Sequence, residues 1–194
     1  MKKILILAIM LALTGCQNAP QGFTASPFNF EMNQSAPIRV NVAQIMIIEN
    51  YKPPMRTPFV EHEFPVIPAN AVRKWVSTRL RASGTSGVLE VLIEDASVKE
   101  VPLIKTEGIK GLFTNDQDAR YDAKLNITFR IFTGTQAISN ASADVKISRS
   151  RTISEQTTVN ERQAIYHQMV SEMMLDFERE SNARFASYFA PYVK

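Results

Sequence analysis

Two consecutive runs with a strict two-residue period constrain the fold of this chain more than any other feature. In residues 119–131, Tyr121, Ala123, Leu125, Ile127, Phe129 and Ile131 alternate with Arg120, Asp122, Lys124, Asn126, Thr128 and Arg130. After Thr133, Gly134, Thr135 and Gln136 the pattern resumes, with Ala141, Ala143, Val145 and Ile147 set against Asn140, Ser142, Asp144, Lys146 and Ser148. Successive side chains of a strand point to opposite faces, so each run buries one face and wets the other. Joined by a short turn, the two runs predict an antiparallel hairpin with one solvated side.

The remaining elements follow from periodicity and punctuation. Residues 38–51 begin with Ile38, Val40 and Val42 and then shift phase to Ile45 and Ile47, which predicts a central strand with a bulge or one covered on both faces. Prolines at 53, 54, 58, 65 and 68 exclude helix and interior strand, so this stretch reads as an extended surface loop. Val72, Trp75, Val76 and Leu80 have helical spacing in residues 69–83, with Arg73, Lys74, Arg79 and Arg81 on the other side and Gly84 where a C-terminal cap belongs. That basic face is a solvated surface or a place for anionic lipid or lipopolysaccharide. Residues 87–101 form a strand through Leu89, Val91 and Ile93, continued past Asp95 by Val98 and Val101. Residues 102–118, with Gly108, Gly111, Asn115 and Asp116, read as a long loop whose Ile109, Leu112 and Phe113 are able to dock on the body.

Thr158 and Glu161 are spaced as a capping box, so a long helix begins there. Its apolar stripe runs through Tyr166, Met169, Val170, Met173, Phe177, Arg184, Phe185 and Tyr188, and Pro191 marks its end. The expected fold class is therefore α+β: a four-stranded, largely antiparallel sheet packed against two helices in the order β-α-β-β-β-α.

The N-terminus says where such a body lives. Lys2 and Lys3 form a positive n-region, residues 4–13 an uncharged apolar run, and Thr14 and Gly15 supply small residues before Cys16. The run is about half of what a helix needs to cross a bilayer, which fits a secretory signal better than a permanent span. Residues 1–15 are expected to be the signal peptide, 16–36 a tether and 37–194 one periplasmic domain. Treated as a flexible coil, a tether of about twenty residues spans about 25 Å. Phe23, Phe28 and Phe30 are placed to pin part of it to the domain or to lipid headgroups.

Charge and chemistry narrow the functions. Lys2 and Lys3 leave with the signal, so twenty basic residues face nineteen acidic ones, a net of +1 with no global field for nucleic acid. Cys16 is the only cysteine, which excludes an internal disulfide and a thiolate zinc site. The two histidines, His62 and His167, fall in the proline-rich loop and on the long helix. Glu61, His62 and Glu63 form at most a weak metal site, and an exposed loop histidine is the simpler reading. No Gly-x-Ser-x-Gly elbow, Ser-x-x-Lys pair or glycine-rich phosphate loop occurs. Ser83 to Gly87 matches an elbow in composition only, between helix and strand rather than strand and helix. Glu94 and Asp95 alternate across a strand and cannot serve one substrate on one face. These observations predict a chain that is not an enzyme and has no cofactor.

The tetrad Leu13-Thr14-Gly15-Cys16 resembles the lipobox of bacterial lipoproteins. That resemblance implies a diacylglyceryl group on the Cys16 thiol, cleavage before Cys16 and acylation of the new amine. One chain holds a protein only marginally, whereas two or three make residence effectively permanent. Gln17, in place of the aspartate that marks inner-membrane retention, implies the outer membrane. The element order resembles that of the lipopolysaccharide-assembly lipoprotein and of the auxiliary lipoproteins of ABC-type lipid transporters. The segments EHEFPVIPANAVRKW, LRASGTSG, EDASVKEVPL, KTEGIKGLFTNDQDARYDA and SRSRTISEQTTVNER resemble a family of uncharacterised bacterial lipoproteins. The resemblances imply a membrane-anchored accessory protein that docks an envelope partner. The rival reading is a carrier holding an acyl chain between sheet and helices, lined by Trp75, Leu125, Phe129, Met169 and Met173.

Overall fold

The computed structural model describes residues 36–103, 117–134 and 138–194, with backbone alone at 117 and 118. In chain order the elements are β1 (Ile38–Val40), β2 (Gln44–Glu49), a 3-10 turn (Glu61–Glu63), α1 (Pro68–Arg79), β3 (Leu80–Ala82), β4 (Val88–Asp95) and β5 (Val98–Pro102). They are followed by β6 (Gln117–Phe132), β7 (Ala141–Ser154), α2 (Val159–Ser187) and a final 3-10 turn (Ala190–Tyr192). The fold is α+β, with two helices and a mixed sheet.

The alternating run expected to form half of a hairpin is the spine of that sheet. β6 is 16 residues long and pairs with antiparallel β7 along its whole length, from Gln117 opposite Ser154 to Ile131 opposite Ala141. Its other side is shared: β4 takes the second half and β5 the first. β4 and β5 are the one expected strand, broken where Asp95 Oδ1 accepts the Ser97 amide at 2.9 Å and the register shifts. The sheet therefore has five strands rather than four.

Residues 38–51 do not form a central strand. The chain breaks after β1, and β2 then lies parallel to β4 at the margin of the sheet, paired on one side only. β1 joins β3 in a separate two-stranded parallel pair. The phase slip after Val42 marks that break. Ser83 and Gly84 donate to the Val40 and Val42 carbonyls at 2.8 and 2.9 Å. A Cβ on Gly84 would sit 2.7 Å from the Asn41 carbonyl carbon, so this approach needs glycine. The residue expected to cap the helix instead lets two backbone segments meet.

α1 stops at Arg79, four residues before the expected end, because Leu80 is already extended and enters β3. α2 starts as expected: Thr158 Oγ1 accepts the Glu161 amide at 3.3 Å while Glu161 Oε2 accepts the Thr158 amide at 2.9 Å. Its buried stripe holds Tyr166, Met169, Val170, Met173, Phe177 and Phe185, joined by Met174, Glu178 and Ser181. Tyr188 is 59% exposed and Arg184 is only half-buried, so both lie off the stripe. Both helices cover the face of the sheet formed by Leu89, Val91, Ile93 and the odd positions of β6. The even positions of β6 from Arg120 to Phe132 are exposed or half-buried, as the alternation requires. Among the described residues no helix is long and apolar enough to cross a membrane.

Candidate functional site

Cys16, the one residue to which the sequence assigns a defined modification, lies outside the described residues, as do the tether aromatics and Ile109, Leu112 and Phe113. The body that the anchor would carry offers three places where chemistry is concentrated: the layer between helices and sheet, a polar cluster at the proline-rich segment, and the open face of the sheet.

The first place is filled by side chains. Trp75, Phe129 and Met173 are each 0% exposed, and Leu125 and Met169 each 1%. The Trp75 ring lies 4.9 Å from Phe177 and 6.3 Å from Phe129, and Phe129 meets Phe185 at 5.2 Å and Phe189 at 6.4 Å. These are ordinary contact distances for aromatic pairs. One open cavity of about 470 Å³ lies beside the start of α2 and one of about 360 Å³ between Ile38 and Phe185, and neither is lined by Trp75, Leu125, Phe129, Met169 or Met173. The lining proposed for an acyl chain is thus a close-packed interior, which removes the geometric support for a carrier.

The proline-rich segment is not merely a surface loop. Residues 52–58 are exposed, but Val60 and Phe64 are 4% exposed and Glu61 is fully buried. Phe64 stacks on Tyr166 at 4.1 Å, so this segment closes one end of the core. Glu61 is held by two donors, the Tyr51 hydroxyl at 2.6 Å and the Val98 amide at 3.2 Å. Next to it the Tyr121 hydroxyl donates to Glu100 at 3.0 Å and accepts from Arg162 at 2.7 Å. His62 keeps 29% of its side chain exposed, so it is partly covered rather than free in solvent. Glu61, the first member of the candidate metal triplet, is committed to structural hydrogen bonds, and no cluster of three metal-ligating side chains occurs among the described residues. His167 is half-buried on α2, and burial lowers its pKa.

The same cluster predicts an alkaline transition. Burial, then Glu61, pushes the Tyr51 hydroxyl well above its ordinary range, and burial, then Tyr166 and Glu100, does the same to Tyr121. In the unfolded chain both ionise near pH 10, while the fold keeps them neutral. Their contribution is complete below about pH 10 and is lost as pH rises beyond it, because the unfolded state releases its protons first. Thermal melts followed by circular dichroism should show a midpoint that declines above about pH 10. Tyr51→Phe with Tyr121→Phe should make that decline shallower.

Of the basic face expected on α1, Arg79 is buried, whereas Arg73, Lys74 and Arg81 stay exposed. Arg79 forms an ion pair with Glu178 of α2 at 2.9 Å, with the two side chains 5% and 8% exposed, and its Nη1 donates to the Ala36 carbonyl at 2.8 Å. Arg73 pairs with Glu49 at 3.0 Å, and Arg81 donates to the Ser77 and Leu80 carbonyls. Lys74 is exposed. Two further arginines were missed by periodicity: β7 continues six residues beyond Ser148, and its helix-facing positions there include Arg149 and Arg151. They pair with Asp176 and Glu172 of α2. Burial works to raise the Asp176 pKa, but hydrogen bonds from Arg149 and Arg179 outweigh it and hold the carboxyl below the usual range.

The third place, the open face of the sheet, is polar and cross-linked along its rows. Asp122 receives two bonds from Arg120 at 2.9 Å and one from Ser150 at 2.6 Å, and Thr128 donates to Asp144 at 2.8 Å. Glu94 accepts from Asn50 at 2.9 Å, on the face opposite the Ser97-bonded Asp95 side of the break. The acids on this face act as partners of neighbouring side chains, an arrangement suited to a surface that is held flat and solvated.

No protein-family model matches the chain, and no curated protein sequence matches it. Its fold is similar to several solved structures. A minor lipoprotein from Acinetobacter baumannii aligns at 11% identity with a TM-score of 0.39, covering 75% of this chain and 91% of that one. Rare lipoprotein B from Shewanella oneidensis aligns at 12% identity and a TM-score of 0.34, covering 74% and 97%. An uncharacterized lipoprotein B from Nitrosomonas europaea aligns at 11% identity and a TM-score of 0.39, covering 82% and 92%. At these scores the likenesses carry no statement about what this chain does.

Proposed function

We propose that the chain is a non-enzymatic envelope lipoprotein, anchored in the outer membrane through acylated Cys16, with its α+β body facing the periplasm and docking an envelope protein partner. The observation that carries this reading is the Leu13-Thr14-Gly15-Cys16 tetrad at the end of a ten-residue apolar run, in a chain with no other cysteine. The body supports it. Among the described residues the buried acids, Glu61 and Glu178, are bonded to structural partners. The layer between helices and sheet, where a transported lipid would lie, is occupied by aromatic and methionine side chains.

Cys16→Ser tests the anchor. The parent should fractionate with outer membranes, and the variant should keep its leader uncut and lose the lipid mass from its N-terminus. A variant that is processed and retained as before would overturn lipidation. Photo-crosslinking from the exposed residues 52–58, read by mass spectrometry, tests the docking role. An envelope protein is the expected product, and phospholipid without protein would overturn it.

A further inference from the structure

We propose that the end of the body built from β1, β3 and the last residues of the chain is a membrane-facing surface, on which Arg39, Arg81 and Lys194 receive the phosphate groups of anionic lipids. The charge of this surface stands on the body alone, whereas the choice of the bilayer that holds Cys16 rests on the anchor proposed above.

Three segments distant in sequence are knitted together at this end. Arg39 and Arg81 are register partners in the parallel β1–β3 pair, so their side chains leave the same face, from strands about 4.8 Å apart. Val40 and Leu80 turn inward and are buried, which leaves the two arginines outward and exposed. The Lys194 amide donates to the Arg39 carbonyl at 2.9 Å, and its Nζ donates to the Ser83 carbonyl at 3.3 Å. Like charges set opposite one another on neighbouring strands cost stability. Nothing acidic in these segments offsets that cost, because residues 36–43, 79–87 and 189–194 contain no aspartate or glutamate. Arg79 is paired with Glu178, while Arg81 donates to the Ser77 and Leu80 carbonyls. Among the described residues no ion pair forms on Arg39, Arg81 or Lys194. Lys74, exposed one turn before Ser77, extends the patch along α1.

The residues outside the described body carry too little acid to cancel this charge. Between Cys16 and Ser35 the only charged side chain is Glu31, and residues 104–116 balance Lys105 and Lys110 against Glu107 and Asp116. Glu31 and the carboxylate at the end of the chain offset at most two of the four cations Arg39, Lys74, Arg81 and Lys194. A nearly neutral mature chain thus concentrates its positive surplus at one end, and such a surface calls for an anionic partner.

The path of the chain selects a bilayer as that partner. The described body begins at Ala36, whose carbonyl Arg79 holds, three residues before Arg39. The tether therefore enters beside the patch, and its span of about 25 Å keeps the patch close to any membrane that holds Cys16. Basic residues this close to an anionic lipid surface are drawn onto it. β2 leads away from this end, from Gln44 beside Gly87 to Tyr51 beside Ile93, so the exposed residues 52–58 stand away from the patch and stay available to a protein partner.

The test uses the purified, lipid-modified full chain with a fluorescent donor on Thr85→Cys, an exposed position in the turn after β3. Vesicles of phosphatidylcholine alone, or mixed with phosphatidylglycerol, carry an acceptor on a lipid headgroup. The anchor should make the chain float with both, and energy transfer should be higher on the mixed vesicles. Raising salt to about 1 M, where charge acts over only about 3 Å, should remove that difference. Arg39→Glu with Arg81→Glu should lower the ratio of docked to undocked body at least about tenfold. Lys124→Glu with Lys146→Glu, the same charge change on the open face of the sheet, should leave it unchanged, and so should inorganic phosphate at constant ionic strength. Equal transfer on the two compositions, resistance to salt, indifference to the arginine variant, an equal loss in the lysine variant, or displacement by inorganic phosphate each overturns the proposal. In cells, benzoylphenylalanine at Thr85 should give phospholipid adducts, and adducts with an acidic protein in their place would overturn it too. A chain that floats only with the mixed vesicles refutes the anchor and keeps the docking. One that floats with both and transfers equally does the reverse, and one that floats with neither refutes both.

Discussion

Glu178→Ala is expected to lower the stability of the body by about 3–5 kcal/mol, the range for removing one partner of a buried ion pair. The carboxylate sits on α2 beneath α1, 2.9 Å from Arg79, with both side chains more than nine-tenths buried. Taking two charges out of water is expensive, and their attraction in a low-dielectric interior repays it only while both are present. Alanine would leave a guanidinium in the interior between the helices, with the Ala36 carbonyl among its remaining acceptors. For a domain of this size the melting midpoint should fall by roughly 6–20 °C, at about 2–4 °C per kcal/mol. The informative control replaces both partners. Arg79→Met with Glu178→Leu removes the charges together, and is expected to recover most of the loss, since well-packed apolar residues often replace a buried pair at little cost. A double variant as unstable as Glu178→Ala would mean that shape, not charge, sets the penalty.

Phe129→Ala is expected to cost about 3–5 kcal/mol, the usual range for truncating a buried aromatic ring. The Phe129 ring is 0% exposed at the centre of the helix-to-sheet layer, in contact with Trp75, Phe177, Phe185 and Phe189. Those neighbours come from α1, α2 and the turn after α2, so they cannot all collapse into the space a ring leaves. Chemical denaturation of the parent and variant measures the difference. The outcome also separates two views of the layer. A packed core gives the full loss, whereas a site built to hold an acyl chain would tolerate a larger void, and a variant within about 1 kcal/mol of the parent would restore the carrier reading.

The outcomes above depend on residues that periodicity placed unevenly. Tyr121 to Ile131 faced the core as their two-residue period required, because every second position was apolar and nothing competed with that pattern. Thr158 and Glu161 announced the start of α2 for an equally local reason, since a capping box is satisfied within four residues. Arg79 was assigned to solvent, and Arg149 and Arg151 were not recognised as strand residues at all. In each case a charged side chain stands on the helix-facing side with an acid of α2 as its partner, deeply buried at Arg79 and half-exposed at Arg149 and Arg151. Glu61 and Phe64 were hidden similarly: five prolines correctly forbade regular structure but say nothing about whether an irregular segment docks.

What the chain determined locally, on the amino-acid string alone, was the alternating spine, the two helices and the α+β class. These are properties of short windows, where spacing and side-chain type suffice. Tertiary structure decided which strand lies at an edge, how one expected strand divides into β4 and β5, and why Gly84 serves a backbone contact instead of a cap. It also decided that Arg79 faces Glu178. Each of these depends on what a distant segment brings into contact, and no local period encodes the neighbour across the sheet.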